Sequence, residues 1–125
     1  MTDPDTSRLA LRPKLDFAPA AAPEEAFQNN SLRPIMKLQH GLLVAALRLY
    51  LEKRKVKMEQ VAVKQRFAKI KELVTRDNRL RGLLFGITIG QFTAEEMQYY
   101  VQNEGSINRR ITNLLVERLS SSFKE

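Results

Sequence analysis

His40 is the sole histidine of the chain, and there is no cysteine. Thiolate nucleophiles, disulfide frameworks and thiolate zinc sites are therefore excluded, as is any metal motif built on several histidines. As a general base His40 would need an orienting acid, and nothing in its neighbourhood fixes one. On a helical wheel it falls between Leu47 and Leu51, beside Gly41, which predicts a buried imidazole satisfied by a partner. Glu95 and Glu96 are adjacent carboxylates. On a helix they point about 100° apart and cannot chelate one ion together. No catalytic residue, no metal site and no cofactor is expected.

Positive charge is the stronger chemical signal. Lys and Arg number 21 against 14 Asp and Glu, giving +7. Between Lys53 and Arg81 lie eleven basic and three acidic residues, a local excess of +8. The segment opens with Lys53, Arg54 and Lys55. Lys57, Lys64 and Lys71 then recur every seven residues, which on one continuous helix would align them on a single flank. Such a field attracts polyanions, either nucleic acid or an acidic protein partner; the competing reading is a solvated face that only confers solubility. Few aromatic residues interleave, so phosphate contact is expected rather than base stacking.

A second constellation sits near the end of the chain. Arg109, Arg110 and Asn113 lie opposite the apolar stripe Ile107, Ile111, Leu114, Leu115 and Leu119. With Gly105 in a turn and Ser106 as a cap, they could form the recognition helix of a helix-turn-helix. Glu104 before the glycine and Glu117 facing the phosphates count against it, and a plain αα-hairpin satisfies the same pattern.

These residues must be carried by helices. The 125 residues are 43% hydrophobic, enough for one domain with a core. All five prolines fall within the first 34 residues, which predicts a flexible or loosely docked tail over 1–31 and a helical domain over 32–125. Ser31 is expected to cap helix A over 34–54, whose apolar residues cover most of its circumference. Helix B, over 57–75, carries the stripe Val63, Phe67, Ile70 and Val74. Helix C, over 77–89, starts at Asp77 and ends at Gly90, and its glycines at 82, 86 and 90 suggest a close helix neighbour; its alternating Leu83, Phe85, Ile87 and Ile89 would equally suit a buried strand. Thr93-Ala-Glu-Glu96 is a capping box opening helix D, and helix E follows Ser106. The expected fold is all-α, a compact bundle of four to five short helices. The longest uncharged stretch, Gly82 to Ala94, is short of the ~20 residues of a membrane span. With no signal-peptide pattern at Met1-Thr-Asp-Pro-Asp, a cytoplasmic protein is expected.

Leu32-Arg-Pro-Ile-Met-Lys-Leu-Gln39, Gly86-Ile-Thr-Ile-Gly-Gln-Phe-Thr-Ala-Glu-Glu96, Asn108-Arg-Arg and Leu115-Val-Glu-Arg-Leu119 carry a family likeness. Over roughly residues 32–119 the chain resembles a small all-helical bacterial family whose members are sometimes labelled glyoxalase. The resemblance implies a helical fold. The label also implies methylglyoxal metabolism, but the residues lack the means. The metal-dependent lyase needs paired β-rich modules, the thioester hydrolase several histidines, and the cofactor-independent enzyme a cysteine. The expected function is a non-catalytic interaction module, with a glyoxalase-labelled enzyme or a homodimeric structural subunit as alternatives.

Overall fold

Asp77 and Thr93 start helices where their side chains predict. Asp77 accepts the backbone N–H groups of Arg79 and Leu80, and Thr93 and Glu96 complete the reciprocal capping box. A computed structural model describes residues 3–123. Its helices are α1 (Pro4–Leu11), α2 (Pro23–Phe27), α3 (Arg33–Leu38), α4 (His40–Lys53), α5 (Val63–Arg76), α6 (Asn78–Ile89), α7 (Ala94–Gln102) and α8 (Glu104–Ser121). No strand occurs among the described residues, so the alternating segment after Arg81 is helix. The fold is all-α. No helix is long and apolar enough to cross a membrane.

Long α8 is the axis of the bundle. Its Ile107, Ile111, Leu115 and Leu119 are fully buried, and α5 and α7 pack along it. Helix α4 supplies Leu43 and Leu47, α5 Ile70 and Val74, and α6 Leu80 and Leu84. Truncating a fully buried member such as Ile111 to Ala would cost about 2–5 kcal/mol.

Helices outnumber the expectation because α1 and α2 lie in the expected tail and the helix predicted over 34–54 breaks once, at Gln39. A π turn, Gln28–Leu32, joins α2 to α3, with the Arg33 N–H bonded to the Gln28 carbonyl. Pro34 has no N–H to donate and crowds the preceding turn, so a widened turn just before it accommodates the ring. The break within the predicted helix is Gln39, at φ −90° and ψ 5°. Its side chain donates to the Ile87 carbonyl (3.1 Å) and ties the elbow to α6.

The expected boundary at residue 31 cuts through this run. Ser31 is buried inside the π turn and caps nothing. Phe27 already belongs to the core, stacked on Tyr99 (5.0 Å between centroids) and edge-on to Phe92 (5.7 Å). Upstream, α1 is regular structure where proline density predicted none, because Pro4 occupies a first-turn position that tolerates it. Arg12 fastens this arm with a bidentate pair to Glu96 (2.7 Å for both bonds) and a third bond to the Gln91 carbonyl (2.8 Å).

Two further expectations fail for packing reasons. A methyl group built on Gly82 or Gly86 meets no atom within 4 Å, so no helix packs on the glycine ladder. Gly90 has an ordinary helical φ of −59°, not the left-handed conformation of a C′ residue; it is required because a Cβ there would lie 2.8 Å from the Gly86 carbonyl oxygen. The basic helix begins only at Val63, after a 3-10 turn at Met58–Gln60. It turns Arg66, Ile70 and Val74 inward and leaves Val63 and Phe67 exposed.

Candidate nucleic-acid interface

Arg66 shows how far the eleven basic residues of 53–81 differ from one another. It is 8% exposed, donating Nε to the Val61 carbonyl and a guanidinium nitrogen to the Phe123 carbonyl, each at 2.9 Å. Its role is to clip the end of the bundle, and it offers nothing to a ligand. Arg54 lies over the Tyr50 ring and pairs with Asp77 at 3.6 Å; Asp77 also accepts from the Tyr50 hydroxyl.

Lys53, Lys55 and Lys57 are exposed, but they lie around the α4–α5 turn. Lys55 and Lys57 line a cleft of about 400 Å³ with Arg48 and Phe123. Lys57 precedes α5 and is out of register with it, so the seven-residue alignment of Lys57 with Lys64 and Lys71 does not exist. Lys64 and Lys71 do share one flank of α5, with Phe67 between them.

Phe67 and Lys71 on that flank border α8. A groove of about 340 Å³ between the two helices is lined by Phe67, Lys71 and Thr75 on one wall and by Thr112, Asn113, Val116 and Glu117 on the other. A second groove, of about 410 Å³, continues past Thr112 and Asn113 to Arg109, Asn108, Gly105 and Arg81. Arg81 donates to the Thr112 hydroxyl (3.0 Å) and lies 4.4 Å over the Phe85 ring, which fixes its charge at the groove. Asn108 accepts from the Tyr100 hydroxyl (2.6 Å). Burial first, and the nearby Glu104 second, push the Tyr100 pKa up and keep it a donor. The structure thus brings Lys71, Arg109 and Asn113 to one continuous track, with Lys64 on its α5 flank.

Arg110 does not join them. It turns to the other side of α8 and donates to Gln28 at the π turn (2.9 Å). The helix-turn-helix that this segment could have formed, the alternative to a plain αα-hairpin, does not occur among the described residues. Only Asn103 separates α7 from α8, and Gly105 and Ser106 lie inside α8, so there is no turn of three to four residues to present a recognition helix. Sequence reasoning missed Phe67, Arg81 and Thr112. Phe67 fitted an apolar stripe, and only the rotation of α5 against α8 leaves it 52% exposed.

His40 is partly buried, and its Nδ1 lies 3.3 Å from a guanidinium nitrogen of Arg118. The imidazole is therefore the acceptor, and a cation rather than an acid is its partner. Among the described residues no three His, Asp or Glu side chains are grouped to hold a metal ion. No family model, curated protein or solved structure matches the chain.

Proposed function

We propose that the chain is a non-catalytic module that binds single-stranded nucleic acid along the α5–α8 track. One observation carries the reading: a half-exposed phenylalanine, Phe67, lies between two exposed lysines, Lys64 and Lys71, over a groove that leads to Asn113 and Arg109. Single-strand binders combine cations that follow the phosphates with an aromatic face on which a base stacks. A duplex would hold its bases out of reach of such a ring. Asn113 offers both a donor and an acceptor to a base edge. Glu117 closes the opposite end of the groove, so the phosphates run toward Arg109 and Arg81.

A salt titration of a labelled oligothymidylate tests this. Lys64→Gln, Lys71→Gln and Arg109→Gln together should weaken binding and shrink the log–log salt slope by about 0.7 for each phosphate no longer neutralised. Phe67→Ala should weaken binding by about 1–3 kcal/mol while leaving the slope unchanged. Lys55→Gln with Lys57→Gln serves as the control and should change little, since those lysines face another cleft. If the wild-type chain ignores the oligonucleotide at low salt, the nucleic-acid reading fails, and an acidic protein becomes the partner to seek for the same cations.

A further inference from the structure

On the adjacent face of α8, sharing only Glu117 with the α5–α8 groove, the π turn delivers Arg33 to the same place as Arg118. A cleft of about 300 Å³ is lined by Arg33 and Met36 of α3 and by Leu114, Glu117, Arg118 and Ser121 of α8. Both guanidinium groups are partly buried, and neither forms an ion pair among the described residues. Arg33 lies over the Phe17 ring (5.8 Å), and its Nε is buried with no hydrogen-bond partner. Arg118 is also held by His40 Nδ1, an acceptor at 3.3 Å that is not a carboxylate. Burial first, and the positive charge of Arg33 second, push the Arg118 pKa below its ordinary value. Two like charges line one cleft and one of them keeps an unpartnered Nε, so the cleft favours an anion.

The remaining lining narrows the chemistry. Met36 and Leu114 form an apolar floor that strengthens any ion pair made above it. Ser121 uses its hydroxyl hydrogen on the Arg118 carbonyl (2.7 Å), so its oxygen is left as an acceptor. Glu117 is exposed, makes no ion pair among the described residues, and is a second acceptor. A bare inorganic anion would meet repulsion from Glu117. A molecule bearing hydroxyl groups beside its anion would satisfy both acceptors.

We propose that this cleft binds a small polyol phosphate, its phosphoryl group held between Arg33 and Arg118 and its hydroxyls donated to Glu117 and Ser121. Two guanidinium groups match the two charges of a phosphate monoester, with donors arranged for its oxygens. The volume lies at the small end of ligand sites and suits a phosphorylated sugar of pentose size. The proposal does not rest on the nucleic-acid reading.

Calorimetry of the full chain at low ionic strength, with ribose 5-phosphate as the probe, tests it. Ribose 5-phosphate should bind more tightly than inorganic phosphate, and ribose should not register. Arg33→Gln and Arg118→Gln should each weaken binding roughly 10-fold or more, the effect of losing a charge-assisted bond. Glu117→Gln changes an exposed position and keeps the test open should either arginine variant not fold. It should tighten inorganic phosphate and narrow the preference for the sugar phosphate. Glu117 borders both grooves, so Arg33→Gln separates the two sites: it should leave oligothymidylate affinity unchanged. Absence of ribose 5-phosphate binding, insensitivity to Arg33→Gln, or an unchanged preference in Glu117→Gln would each overturn the proposal.

Discussion

Lys55 stands at φ 58°, the one non-glycine residue with positive φ among those described. It follows the end of α4, where Val56 N–H returns to the Leu51 carbonyl (2.9 Å) and Lys55 N–H to the Glu52 carbonyl (3.1 Å). That pair of bonds is the Schellman closure, and its central residue is usually glycine. A lysine there carries about 1–2 kcal/mol of steric cost. Lys55→Gly should raise stability by about 1 kcal/mol, the relief being partly offset by the greater entropy of an unfolded glycine. Urea denaturation would show it as a higher midpoint, with oligothymidylate affinity unchanged; a lower midpoint would contradict the cap. Which basic residues are free is not legible at this scale. Arg66 and Lys64 look equivalent in a run of charges, yet one is sealed under two carbonyls and the other is exposed. Lys64, Lys71, Arg109 and Asn113 could be named from type and spacing, but Arg81 and Thr112 gain their roles only through bonds between helices.

Between elements, the joint of α1 to α7 is chemically specific. Glu96 closes its own capping box on Thr93 and accepts both terminal nitrogens of Arg12. Burial alone would push its pKa up, but the bonds from Arg12, Ser31 and Thr93 outweigh it and hold the carboxyl below the ordinary 4.5. A depressed folded pKa means stability that is present above 4.5 and is lost as pH falls through the lower, folded value. Thermal midpoints taken from neutral pH to about pH 3 should therefore fall more steeply for wild type than for Glu96→Gln. Equal slopes would show that the latch adds nothing. The same variant should expose the segment after Arg12 to protease sooner. Helix identity and the caps at Asp77 and Thr93 were legible because 3.6-residue periodicity and capping are local properties. The π turn, the elbow at Gln39 and the inward rotation of Arg66 were not, since each answers a neighbour far away in sequence. Phe67 belongs with them: α5 turns Ile70 and Val74 into the core and leaves Phe67 exposed beside α8.

Across the whole molecule, arginines and lysines divide the positive charge by task. Arg12, Arg66, Arg81 and Arg110 tie distant segments through their several donors, whereas lysines such as Lys64 and Lys71 stay exposed. Net charge thus overstates the number of free cations: the α5–α8 groove sets exposed Lys71 beside exposed Phe67, while the cleft of Arg48, Lys55 and Lys57 has only the buried Phe123. The π turn has a comparable reach. It contains one residue more than a helical turn needs, and Phe27 on one side and Arg33 on the other take their directions from it. Deleting Asn29 should regularise the turn and rotate α2 against α3 by about 100°. Phe27 would leave Phe92 and Tyr99, and near-ultraviolet circular dichroism should weaken along with the thermal midpoint. A point substitution of Asn29 that keeps the length should spare both signals. Here the information lies in a count of residues rather than in their kinds. A segment free to drift in composition but not in length would escape any reading that scores letters, while a single skipped codon would put an aromatic anchor on the wrong side of the protein.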